Sequence, residues 1–347
     1  MQTLSASVWR ALAGAPGSAL IAHRGSNRSL PAWLPLALAR LVARALARRP
    51  GLVLAGDALT HALAYPLARA LRARTAVIVH GLDVTYRNPL YRLLVSPALR
   101  RADTVLANSR ATAAEAIRVG VPAERVHVLR VGIDAPVVGE AERRAARAAL
   151  VERVGATGAD ILMLTLGRLV PRKGVRWFVE NVLPELPPHL LYLVAGDGPE
   201  AANVRRAVRG RGLEERIRLL GPVNDEERER LLRGADLLVR PNVPVPGDME
   251  GFGLVTVEAA VRGTLVVASA LEGLAEAVVD GVTGVLVPPG DAEAWRRTLT
   301  AVASDRARLS ERAAAFQAAA RERYSEGAFA RDLLGALALD AEGSTGA

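Results

Sequence analysis

The sequence has no cysteine, which excludes disulfides and thiolate metal sites and fits a reducing compartment. Phe, Trp and Tyr together make up 4% of it, too little for the aromatic platforms on which single-stranded nucleic acids stack. Lysine is scarcer still: 44 of the 45 basic residues are arginine, and Lys173 is the one exception. Long apolar runs are also missing. The longest stretch without a charge, Ala11 to His23, has 13 residues and contains Gly14, Pro16 and Gly17; it is too short to span a bilayer. No positively charged leader with a cleavage site opens the chain, so the expected location is cytoplasmic. G-x-x-x-x-G-K-[ST], H-E-x-x-H, G-x-S-x-G and Asp-x-Asp do not occur, which removes the sequence support for P-loop, zinc-protease, serine-hydrolase and Asp-x-Asp metal chemistry. The five histidines are scattered, and no metal site or cofactor is expected.

What is present is a chain of 347 residues, 50% apolar and 23% charged, enough for two ordinary domains with full cores. Its net charge of +9 is unevenly spread: Met1 to Asp134 holds 18 basic and 6 acidic residues, the remainder 27 and 30. Short β-rich apolar runs alternate with Ala/Leu/Arg stretches of helical period, the pattern of parallel sheets covered by helices. In the first half the pattern predicts strands at about 18–23, 52–55, 75–80, 103–107 and 125–128, with helices at about 31–49, 57–72, 88–101 and 109–119. Arg130 to Gly139 breaks the rhythm, and Glu140 to Val154 resumes it as a charged helix, which divides the chain into domains 1–134 and 135–325. The second half predicts strands at about 161–166, 190–195, 216–220, 236–239, 264–268 and 284–287. Two consecutive doubly wound domains are expected to face a central cleft, with the chemistry in strand-to-helix loops.

Three of those loops carry candidate chemistry. Gly167-Arg168-Leu-Val-Pro-Arg172-Lys173-Gly174 follows a strand and precedes a helix near Val175, so Arg168 and Lys173 bring cations to a helix start, a combination that suits a diphosphate. The competing reading is a solvated basic loop. Retention of the sole lysine inside it favours function, because a compact ammonium on a flexible stem is not interchangeable with arginine. Glu250-Gly251-Phe252-Gly253-Leu254-Val255-Thr256-Val257-Glu258 places two carboxylates around a helix start near Gly253, where free N–H groups of Gly253, Leu254 and Val255 would receive phosphate oxygens. Surface glutamates are the alternative. His80-Gly81-Leu82-Asp83 closes an apolar strand; a lone histidine is usually packed or solvated, but this position points it toward the cleft. Gly196-Asp-Gly198-Pro199-Glu-Ala201 fits G-x-G-x-x-A, yet the next strand closes on Gly221-Pro222 rather than an acid, so it is read as a tight turn with Pro199 at a helix start.

Taken in order, His80-Gly-x-Asp83, Gly167-Arg168 with Lys173-Gly174, Gly196-Asp197-Gly198-Pro199, Glu250-x7-Glu258, Gly281-Val-Thr-Gly284 and Pro288-Pro-Gly-Asp291 resemble the retaining glycosyltransferases of family 4, over roughly Val53 to Phe329. The resemblance implies an α/β GT-B fold of two Rossmann-like domains, with a nucleotide-sugar donor on the second, a hydroxyl acceptor on the first, and a terminal helix within 326–347 crossing back to the first. It implies no metal. By the same resemblance Arg168 and Lys173 neutralise the donor diphosphate, and Glu258 binds the ribose. Glu250 with the backbone of Gly251, Phe252, Gly253, Leu254 and Val255 holds sugar and phosphates, Gly196 lines the cleft, and His80 sits over the transferred sugar. The base lies near Gly221-Pro222-Val223. Family members open with a strand and a Gly-Gly loop that Met1 to Gly17 does not supply, so a late start, a differently built acceptor side or a degenerate, non-catalytic member are alternatives. A nucleotide-sugar 2-epimerase shares the architecture, but Glu250-x7-Glu258 favours hexosyl transfer. Finally, Arg40, Arg44 and Arg48 fall at i, i+4 and i+8 on the helix expected at 31–49, beside Leu36, Leu38, Leu41, Val42 and Leu46. That stripe suits peripheral contact with an anionic membrane, against the alternative of a core-packed helix with a solvated arginine face. No nucleic-acid partner is expected.

Overall fold

A computed structural model describes residues 2–13, 17–22, 30–86 and 88–338. The chain forms two compact units, Met1–Gly132 with Glu326–Ala347, and Ile133–Ser325.

In the first unit four parallel strands, β1 (Leu52–Ala55), β2 (Arg74–Val79), β3 (Thr104–Ala107) and β4 (Val126–Val128), pair in chain order. The central strands β2 and β3 are buried almost throughout because helices cover both faces, whereas β4, Val-His-Val, is largely exposed. Val77, Val79, Val105 and Ala107 pack in one core with Ala58, Ala62, Val95 and Leu99 from the crossover helices Ala58–Ala70 and Pro89–Arg100. On the other face Ala76, Ile78 and Leu106 pack against Phe329, Leu333 and Leu337 of helix Glu326–Leu337. Helix starts are capped by side chains: Asp57, Asn88 and Ser109 accept from the N–H groups of Thr60, Tyr91 and Thr112, supplying partners that the first turn lacks.

The strand expected at 18–23 does not form. Ser18 to Ala22 have no strand structure, four of these five residues are exposed, and His23 lies outside the described residues. The physical reason is local. Leu20 and Ile21 are the only large apolar side chains there and, being adjacent, would point to opposite faces of a sheet, so neither face gains enough burial. Helix Gln2–Leu12 precedes this segment instead, with Val8, Ala11 and Leu12 against the Phe329 core and Arg10 paired to Glu326.

The second unit holds β5 (Ile161–Leu166), β6 (Leu190–Ala195), β7 (Ile217–Gly221), β8 (Leu237–Arg240), β9 (Leu265–Ser269) and β10 (Val285–Val287), all parallel, in the order β10-β9-β8-β5-β6-β7. The chain winds outward from β5 to β7, returns to place β8 on the other side of β5, and winds outward again. The reversal between β5 and β8 opens a crevice at the carboxyl ends of the strands, where ligands of doubly wound sheets bind. Beneath it Phe178, Tyr192 and Trp295 pack with ring centroids 4.9 and 5.9 Å from Phe178. One helix start differs from expectation: Glu200 is the N-cap of Ala201–Arg211, so Pro199 lies in the preceding turn.

Candidate functional site

The loops leaving β5 and β8 meet at the reversal point, joined by the Val243 N–H donating to the Arg172 carbonyl at 3.0 Å. Gly174 makes the approach possible. Its φ is +65°, and a Cβ there would lie 1.8 Å from the Pro241 carbonyl oxygen. The loop after β6 presses on the same structure: a Cβ on Gly196 would lie 1.9 Å from the Gly167 oxygen. The Gly196 N–H is already used, donating to the Gly221 carbonyl at 2.7 Å. This tie brings the loop of Gly221 to Val223 beside Gly196; Val223 is half-buried there. The G-x-G-x-x-A segment is therefore a packing turn against the Gly167–Leu169 loop.

Lys173 is buried, and its Nζ donates to Glu250 Oε2. Burial lowers its pKa to about 7, helped by the nearby Arg240 and Arg172 cations and opposed by Glu250. Burial alone would raise the Glu250 carboxyl, but Arg240, Lys173 and Arg172 outweigh it and hold it at about 2. Arg240 Nη2 and Asn242 Nδ2 also donate to Oε2, at 3.3 and 3.0 Å. All three donors converge on one oxygen, leaving Oε1 without a hydrogen bond among the described residues. Arg168, in contrast, is exposed and has no ion pair among the described residues. Arg172 pairs with Asp248 at 2.7 Å.

Gly253, at φ +72°, ends the β8 loop as the N-cap of helix Leu254–Val261, with no capping side chain. The Thr256 N–H turns back to the Gly253 carbonyl, while Leu254 and Val255 are half-buried. Their N–H groups belong to the first turn, which has no intrahelical acceptors. Phe252 is buried and packs edge-on against Tyr324, ring centroids 6.3 Å apart, so its side chain serves the core and only its backbone faces the loop. Glu258 is buried one turn further along and ion-paired with Arg228.

Residues 160–305 match the model of the family described as glycosyl transferases group 1, and residues 9–136 match that of glycosyltransferase family 4. The chain belongs to the group 1, family 4 glycosyltransferases. It is similar to D-inositol 3-phosphate glycosyltransferase of Xylanimonas cellulosilytica, 36% identical over 63% of this chain and 53% of that one. The Mycobacterium tuberculosis protein of the same name is 34% identical over 67% of this chain and 48% of its own length. The chain thus spans about half the length of the curated relatives it matches. Among solved structures, Anabaena HepE in complex with UDP and glucose superposes with a TM-score of 0.74 at 23% identity, covering 87% of this chain and 81% of that one. Sucrose-phosphate synthase from Thermosynechococcus elongatus gives 0.71 at 23%, covering 94% and 81%. These likenesses establish the GT-B fold, two Rossmann-like domains.

The N-terminal unit carries His80 at the end of β2, half-buried, with its Nε2 hydrogen-bonded to the Gly56 carbonyl at 2.8 Å. Its backbone N–H donates to Asp83 Oδ1 at 2.8 Å, and burial pushes the Asp83 carboxyl above its usual range. Motif reading missed Arg240, Asn242 and Arg228. Arg240 is buried at the end of β8, where Nη1 donates to the Leu166 carbonyl at 3.1 Å, and its Nε has no partner. The available signal was a charge closing the apolar run Leu237-Leu-Val-Arg240. Arg228 and Asn242 had none.

Proposed function

We propose that the protein transfers a hexosyl group from a nucleoside-diphosphate sugar to a hydroxyl acceptor, with retention of configuration and without a metal ion. One observation carries the reading: Lys173, the sole lysine, is buried beside Arg240 and Arg172, and burial first, then those cations, leave it short of the negative charge that would hold its proton at the ordinary pKa. A dianionic diphosphate between Lys173, Arg168 and the uncapped first turn at Leu254 and Val255 supplies that charge. The named relatives are glycosyltransferases, and HepE was solved with UDP-glucose, which supports a nucleotide-sugar donor.

The chemistry follows from where charge develops. As the bond from the sugar to the phosphate breaks, negative charge grows on the diphosphate and the sugar becomes oxocarbenium-like; fixed cations stabilise the first change most. Arg168 and Lys173 serve the leaving group, Glu250 Oε1 accepts from a sugar hydroxyl, and Glu258 accepts from the ribose. The base lies along Gly221 to Val223, read mainly through backbone atoms. His80 is assigned to the acceptor half of the reaction. The acceptor attacks on the face from which the diphosphate leaves and gives its proton to the departing phosphate, so no protein base is assigned. The arginine-lined helix of the N-terminal unit meets an anionic membrane at its cytoplasmic face.

Thermal stabilisation by UDP, GDP, ADP and TDP tests donor binding, because a ligand held only by the folded state raises its stability by mass action. Anomeric configuration of the product, read by NMR with and without EDTA, tests the rest. An inverted product, or activity lost to EDTA and restored by Mg²⁺, would refute the corresponding part.

A further inference from the structure

Glu272, in the loop after β9, has its backbone in the left-handed region, φ +48°, as do only Arg72 and Ala338 among the described non-glycine residues. A glycine would adopt this conformation without strain, so the glutamate is held there at a cost that its surroundings offset. The next residue fixes the loop against the site. A Cβ on Gly273 would lie 2.1 Å from the Gly251 carbonyl oxygen.

Two hydrogen bonds join this loop to Glu250. The Gly273 N–H donates to the Glu250 carbonyl at 3.2 Å, and the Glu250 N–H donates to Glu272 Oε2 at 2.5 Å. The first needs only backbone and would persist with glycine at 272; the second needs the carboxylate. Glu272 is half-buried, and its Oε1 has no hydrogen bond among the described residues. Glu250 is arranged in the same way, with Oε2 saturated by Lys173, Arg240 and Asn242 and Oε1 open. Burial raises the Glu272 pKa, and the charges of Glu250 and Asp248 add to it against the Glu250 N–H bond and Arg172. Two carboxylates that feel each other's charge call for a cation or for a group that donates hydrogen bonds to both. Arg172, Lys173 and Arg240 already surround Glu250, which disfavours a cation and leaves neighbouring hydroxyl groups as the complement.

We propose that Glu272 is a specificity-determining residue of the donor site, its free oxygen acting with that of Glu250 to hold neighbouring hydroxyls of the transferred sugar. This rests on the donor reading above and adds the residue that recognises the sugar rather than the nucleotide. The test is calorimetric titration of the parent, Glu272→Gly and Glu272→Gln with UDP, ADP and GDP, and with UDP-glucose, ADP-glucose and GDP-mannose, alongside melting temperatures. Glu272→Gly relieves backbone strain but takes the acceptor from the Glu250 N–H, so the two effects oppose and its melting temperature should stay near that of the parent. It should bind the preferred diphosphate within twofold of the parent and that diphosphate's sugar conjugate at least tenfold more weakly. Glu272→Gln, which keeps an acceptor but loses the charge, should fall between them. Equal weakening of diphosphate and conjugate would reduce Glu272 to a brace for the Glu250 loop and overturn the proposal. Unchanged affinity for both would overturn it as well. If the parent binds none of the six probes, the donor reading itself fails and takes this inference with it; if the parent binds and the glycine variant discriminates no differently, only this inference fails.

Discussion

Titrating a sugar nucleotide into the protein at pH 6.5 and again at 8.5 probes the Lys173–Glu250 pair directly. In the free protein Lys173 has a pKa of about 7, with burial the main cause. A bound diphosphate returns it toward the ordinary lysine value of about 10.4. The bound state therefore holds the proton more tightly than the free state, so affinity is full below pH 7 and is lost as pH rises from 7 toward the bound pKa. For one site the loss factor is about 1 + 10^(pH − 7), which weakens binding by roughly 25-fold between pH 6.5 and 8.5, or about 2 kcal/mol. Glu250, held at about 2, stays ionised throughout. The two phosphates of a sugar nucleotide carry no titrating proton in this range, so the proton taken up belongs to the protein. Calorimetry in two buffers of different ionisation enthalpy should show uptake of roughly 0.2 proton at pH 6.5, approaching 1 at pH 8.5. Lys173→Arg keeps its charge at both pH values and should abolish the slope. A flat affinity in the parent, or the same slope in Lys173→Arg, would refute the assignment.

Arg168→Ala and Lys173→Ala should each lower kcat at saturating donor by roughly two to three orders of magnitude, as when a group stabilising leaving-group charge is removed; near-parental kcat in either would detach that residue from the diphosphate. Gly174→Ala, with its Cβ 1.8 Å from the Pro241 oxygen and φ at +65°, should destabilise by roughly 2–4 kcal/mol and lower the melting temperature by about 5–15 °C. An unchanged melting curve would mean that the two loops do not touch. Arg40, Arg44, Leu36, Leu38 and Leu46 are exposed on helix Leu30–Ala47, with Arg48 exposed just beyond its end. Replacing Arg40, Arg44 and Arg48 with glutamine should therefore weaken co-sedimentation with phosphatidylglycerol vesicles while leaving nucleotide affinity intact; equal sedimentation of variant and parent would remove the stripe.

The parts of the fold legible in the sequence are those where local signals agree. β5 and helix Glu140–Val154 fall where the apolar run and the bracketing Gly139 and Gly155 place them, because a glycine in the left-handed region stops a helix cleanly. The segment Ser18 to Ala22 was illegible for the opposite reason: a brief apolar patch reads as strand, yet it offers too little apolar surface on either face, and among the described residues no strand pairs with the outer edge of β1. In the site, glycines and paired carboxylates show in sequence because backbone geometry and spacing demand them. Arg240 shows only as a charge closing an apolar run, its burial against the Leu166 carbonyl being set by residues far away in the chain, and Glu272 does not show at all, since what singles it out is a backbone angle that no glutamate advertises.

The strand order explains why this particular set of charges meets. Residues 167–174 and 241–253 lie far apart in sequence, yet β5 and β8 are neighbours, so the cationic arm and the carboxylate arm leave the sheet side by side. Glycine lets their backbones touch, and the contact gathers Lys173, Arg172 and Arg240 around Glu250, with Asp248 on Arg172 and Glu272 on the Glu250 N–H as further carboxylates. With Glu272 at the Glu250 N–H, three carboxylates face the three cations, two of them buried and Arg172 half-buried, and desolvation lowers the pKa of both Lys173 and Arg240. Such a cluster is costly as a stabilising device, since an apolar core of equal volume would serve at least as well. Its arrangement makes physical sense if an anionic ligand compensates the desolvation of Lys173. When it does, Lys173 can turn from Glu250 to the anion while Arg240 and Asn242 stay on Oε2 and keep the carboxylate in place, its Oε1 open as before.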